Sequence, residues 1–117
     1  MSLEGYISET LYEGTPGAST GLLATVPTGE DWLIDEIIAT NTISVAATLT
    51  VNHGVGGAAA TTSNQLASAS SCAANAVTNV LPNPPAGIAA KEGDVIRGLQ
   101  GTASALNVRI TGRIRRH

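Results

Sequence analysis

Apolar and polar residues alternate along much of this chain with the period of two expected of β-strands. The last segment, 106–114, has the clearest pattern. Leu106, Val108, Ile110 and Ile114 fall on one face, and Asn107, Arg109, Thr111, Arg113 and Arg115 on the other. Gly112 sits in the apolar phase, where a bulge or a close backbone approach is expected. Residues 45–52 behave alike: Val45, Ala47, Leu49 and Val51 oppose Ala46, Thr48, Thr50 and Asn52. Shorter strands are predicted at 22–26 and 95–100, with a weak one at 76–81. Residues 3–13 alternate loosely, as a first strand or an arm, so 1–20 is treated as either.

Segment 31–40 is ambiguous. Leu33, Ile34, Ile37 and Ile38 would form a helical stripe, but the segment is Ile-rich and lies between a Pro-x-Gly turn and an Asn-Thr turn. Strand is the better reading. Turn chemistry separates the elements at 14–21, 27–29, 53–57, 91–94 and 101–103. The Pro-rich stretch 82–87 must be irregular. Residues 58–76, nearly all Ala, Ser, Thr and Asn, read as a long loop with one short strand, because Ser and Thr compete with helical hydrogen bonding. The expected fold is all-β: one β-sandwich or jelly-roll-like domain over 1–117, with six to eight short antiparallel strands.

Composition then limits the core. Leu, Ile and Val number 27 of 117 residues, 18 more are Ala, and Phe is absent. A core so poor in aromatic area makes oligomerisation or docking on a larger surface an expectation. No run is long enough for a membrane helix, and the N-terminus lacks the charge and apolar pattern of a signal peptide. A net charge of −3 argues against a general nucleic-acid binder.

The distribution of charge says more than its total. Seven acidic residues and no Lys or Arg occupy the first 36 positions; 37–90 carry no formal charge; all six basic residues follow. A soluble monomer normally covers itself with mixed charge. The 54-residue uncharged stretch therefore points to a protein–protein surface.

Candidate chemistry is sparse. Glu30, Asp31, Asp35 and Glu36 form the one dense titratable group, without the spacing of a calcium loop; a solvated edge, or ion pairing with the C-terminal arginines, is the expected role. His53 reads as an exposed turn histidine and His117 is the terminal residue; neither has a metal-motif partner. Cys72 reads as a small, buried or half-buried thiol. Gly54–Gly57 lacks the Lys and Ser/Thr of a phosphate loop and reads as a hairpin connection. No catalytic residue, cofactor or metal site is assigned. A cupin-like enzyme would need a His/Glu metal set that two isolated histidines do not supply.

The stretch LLATVPTGEDWLIDEIIATNTISVAATLTV (22–51), and later AGI (86–88) with EGDVI (92–96) and VRITG (108–112), resembles a pattern of small β-sandwich virion proteins of tailed bacteriophages. The resemblance covers about half of the chain. It implies a non-enzymatic virion protein on the outer capsid surface: a decoration, or cement, protein, trimers of which bind the major capsid protein, with no nucleic-acid or membrane partner. A tail or fibre component that binds a receptor or glycan is the alternative. The expected interface comprises Glu4, Glu9 and Glu13 in an arm, Thr48 and Thr50 in the uncharged middle, and Arg113, Arg115 and Arg116 as ionic counterparts.

Overall fold

The computed structural model describes residues 5–81 and 87–117, and these form two antiparallel sheets packed face to face. The first sheet, sheet A, contains β1 (Ile7–Gly14), β9 (Leu106–Arg116), β3 (Glu30–Asn41) and, end to end along the far edge of β3, β6 (Val77–Asn79) and β7 (Ile88–Lys91). Sheet B runs β2 (Gly21–Thr25), β8 (Val95–Gln100), β4 (Ala47–Gly54), β5 (Gln65–Cys72). The pairings nest: β1 with β9, β2 with β8, β3 with β6 and β7, β4 with β5. This is one long hairpin rolled into two sheets, the strand order of a jelly roll.

The expected all-β sandwich is what the structure shows, with three differences in detail. Among the described residues nine strands replace the six to eight expected, because one edge of β3 is shared by two short strands. The segment 58–76, expected as mainly loop, contributes the eight-residue β5. Of the two readings left open for the N-terminal segment the strand holds: residues 7–14 pair with β9, so Glu9 and Glu13 do not lie in an arm. Residues 82–86 of the expected Pro-rich irregular stretch lie outside the described residues. The only helical elements among the described residues are single 3-10 turns at Val55–Gly57 and Thr62–Asn64, both within the β4–β5 connection.

The core lies between the sheets. Leu106, Val108 and Ile110 of β9 point into it, as the alternation requires, opposite Leu49 and Val51 of β4 and Ile96 of β8. Trp32, Ile34, Ile37 and Ala39 supply it from β3. Ile34 and Ile37 are three apart, yet both are buried, because Asp35 is an extra residue in the β3–β9 ladder. A bulge of this kind restores the apolar phase after one residue. It accounts for the helix-like spacing in the sequence.

Buried amides tie the loops to this core. Asn41 Nδ2 donates to the carbonyls of Val45 and Cys72 at 2.9 and 3.0 Å. Asn52 Nδ2 donates to Thr61 O and Asn64 Oδ1. Gln100 links the β1–β2 connection to the β8–β9 turn. Cys72 is a buried free thiol, its pKa pushed up by burial.

Candidate functional site

The two sheets differ in charge. Of all the residues in β2, β4, β5 and β8, Arg97 alone carries a formal charge. The strands of sheet A carry Glu9, Glu13, Glu30, Asp31, Asp35, Glu36, Lys91 and four arginines. Segregation along the sequence has become segregation between the faces of the sandwich.

On sheet A the charges largely satisfy one another. β9 lies between β1 and β3, so its outward arginines stand beside acidic residues from both neighbours. Arg113 holds Asp35 through two parallel bonds, Nε to Oδ2 at 2.9 Å and Nη2 to Oδ1 at 2.7 Å. This fork geometry is the strong form of the pair. Arg115 Nη2 reaches Asp31 Oδ2 at 2.8 Å while its guanidinium lies 5.0 Å from the centre of the Tyr6 ring. Arg109 meets Glu13 at 3.2 Å, and Arg116 meets both Glu9 and Glu30, at 3.2 and 3.4 Å. The Arg115 hydrogen bond, with help from His117, outweighs burial and holds the Asp31 carboxyl below the usual range. The pairs exposed on both sides, Arg109–Glu13 and Arg116–Glu9, contribute about 0–1 kcal/mol each.

The structure therefore places the expected interface residues on two opposite sheets. Glu9, Glu13, Arg113, Arg115 and Arg116 lie on sheet A, engaged within the chain. Thr48 and Thr50 lie on the outer face of sheet B, alternating with buried Ala47, Leu49 and Val51. Glu4 lies outside the described residues. Of the acidic cluster, Glu30, Asp31 and Asp35 pair with the C-terminal arginines, whereas Glu36 accepts a hydrogen bond from the Thr111 hydroxyl.

The outer face of sheet B is built from short side chains. Thr50, Asn52, Ala60, Thr61, Gln65 and Leu99 contribute to a shallow depression of about 250 Å³. Thr50 Oγ1 accepts the Ala69 N–H at 2.9 Å, and the Thr62–Asn64 turn folds over Asn52. Leu22 of β2, 56% exposed, stands across the ladder from Arg97. The composition could have revealed the uncharged stretch but not this face, which depends on knowing that β4, β5 and β8 are neighbours.

A second group, unnoticed in the sequence, closes one end of the sandwich. His53 belongs to β4, not to an exposed turn, and its Nε2 lies 2.8 Å from Asp94 Oδ2. Asp94 is buried and also accepts the backbone N–H groups of Gly56 and Lys91. Burial pushes its pKa up; the two backbone donors and His53 outweigh this and hold it below the usual carboxylate range. A depressed pKa contributes stability that is present above the unfolded value and lost as pH falls through the folded one. Replacing Asp94 with Asn should thus destabilise the fold at pH 7 by about 1–3 kcal/mol. Urea unfolding should show this difference shrinking as pH drops below about 4. A difference independent of pH would rule out the ionised carboxylate as its source.

No group of three or more His, Cys, Asp and Glu side chains among the described residues is arranged to hold a metal ion. No family model, no curated protein and no solved structure matches the chain.

Proposed function

We propose that this chain is a non-enzymatic structural protein of a tailed-phage virion, a capsid decoration protein that docks on the assembled major-capsid lattice through the outer face of sheet B and acts as a homo-oligomer, a trimer. One observation carries the docking face: the strands of sheet B hold a single formal charge, while among the described residues most charged groups on sheet A, though not Lys91 or Glu36, are paired within the chain. Charge depletion marks the centre of protein interfaces. The sequence resemblance carries the virion context. The jelly-roll order agrees with it at the level of analogy alone, since the same fold serves capsid proteins, lectins and cupins.

The mechanism is mechanical. Many copies on a lattice multiply a modest affinity. Binding only the assembled shell stabilises that state by mass action. A neighbour that used Glu9, Glu13, Arg113, Arg115 or Arg116 would have to share or displace pairs already formed, so the docking face is assigned to sheet B.

Thr48→Lys and Ala60→Glu place a charge on this face at half-buried positions. Each should weaken binding to capsids at least tenfold while chain stability changes by less than about 1 kcal/mol. Sedimentation with purified capsids, alongside urea unfolding, reads both. Unchanged capsid binding by both variants would remove sheet B from the interface, and glycan binding in place of capsid binding would favour the tail or fibre alternative.

A further inference from the structure

Arg97 differs from the four arginines of β9. Each of those meets a carboxylate of the same chain. Arg97 forms no ion pair among the described residues, and its Nε is buried without a hydrogen-bond partner. A buried donor left unpaired costs about 1–3 kcal/mol, and such a group calls for an explanation. The side chain projects from the middle of the outer face of sheet B. Leu22 of β2 is its cross-strand neighbour on one side and Asn52 of β4 on the other. Half-buried between them, it is held by packing in place of a counter-charge.

We infer that Arg97 is the charged anchor of the docking face, and that the partner is a capsid protein surface presenting one carboxylate to it, ringed by small uncharged side chains. The inference rests on the proposed docking face and adds the chemistry of the partner. Two arguments favour this occupant. A lone cation in an uncharged face is complemented by a single anion, and removal from water strengthens that pairing. Two copies joined face to face about a two-fold axis would also bring like patches together, setting Arg97 against its own equivalent. The face is therefore better suited to a different surface than to itself. A planar guanidinium suits a carboxylate in a way that an ammonium does not.

The test uses the full chain and shells assembled from the major capsid protein encoded with it. Arg97→Gln should weaken binding about tenfold or more, and Arg97→Glu further still, because it sets two carboxylates against each other. Arg97→Lys, the variant that keeps the charge should Arg97→Gln fail to fold, should lose at least threefold. Lys91→Gln, which removes a cation from sheet A, should stay within twofold of the parent. Equal binding by Arg97→Glu and Arg97→Gln would overturn the facing carboxylate. Parental binding by Arg97→Gln, with binding lost in Thr48→Lys, would overturn the anchor and leave the docking face standing. No binding by the parent chain would overturn both. Arg97-dependent binding to hyaluronan, with none to shells, would assign the carboxylate to an acidic glycan and overturn the protein partner.

Discussion

Replacing Gly112 with Val should leave the chain unfolded, and replacing it with Ala should cost more than about 3 kcal/mol. Gly112 sits in β9 at a point where both neighbouring strands carry an extra residue, Leu11 in β1 and Asp35 in β3. A Cβ at this position would collide with the carbonyl oxygen of Leu33 and lie 3.0 Å from Leu11 Cδ1. The leucine end could move, but the carbonyl belongs to the β3 backbone. Relief would need β3 to shift against β9, which is the central pairing of sheet A, while the core residues Ile110 and Ile114 flank the site. Domains of this size are stable by only about 5–15 kcal/mol, so strain at their central ladder is not absorbed. Urea unfolding of Gly112→Ala gives the answer directly; a loss below 1 kcal/mol would show that β9 has room the structure does not contain.

Gln100→Leu should cost about 3–5 kcal/mol, since each buried polar group left unpaired costs about 1–3. Gln100 is completely buried, in the core-facing phase of β8 opposite Leu49. Its Oε1 accepts the N–H groups of Ala105 and Leu106 at 3.0 and 2.7 Å, and its Nε2 donates to the Pro16 carbonyl. Leucine roughly matches the volume but leaves two donors and one acceptor without partners in the interior. The β8–β9 turn and the connection before β2 would both loosen. Hydrogen exchange should show faster exchange at Ala105 and Leu106 even under conditions where the variant stays folded. Stability within 1 kcal/mol of the parent would mean that water replaces the amide at no cost.

The sequence makes the regular strands readable and the irregular ones hard to see. β4 and β9 stand out because alternation is uninterrupted or nearly so. β5 was hidden: its inward residues, Ala67 and Cys72, are small, and two register shifts against β4 break the period. The positive φ of Ala69 within it has no signature in an Ala/Ser run. The helix-like spacing of Leu33, Ile34, Ile37 and Ile38 was ambiguous because a bulge adds one residue, and alternation cannot anticipate a bulge. Charge was legible as two blocks, acidic then basic. That they pair within one chain follows only from β9 lying between β1 and β3. The isolation of Arg97 is less visible still. In the sequence it is one of six basic residues near the C-terminus; only the assignment of β8 to the other sheet separates it from the rest. Gln100, Asn41, Asn52 and Asp94 gave no signal of their buried roles, since each also bonds a partner outside its own turn. His53 and Asp94 meet across 41 positions of sequence.

The proposed docking on an assembled shell is through the outer face of sheet B, whose strands carry one formal charge. Its most direct test is sedimentation of the purified chain with shells of its major capsid protein and, separately, with the unassembled subunits, at 50 and 500 mM salt. Saturable binding to shells and none to subunits is the expected result. With one charged anchor on the face, the affinity should fall only a few-fold across this salt range. Equal binding to free subunits, or complete release from shells at 500 mM salt, would contradict it.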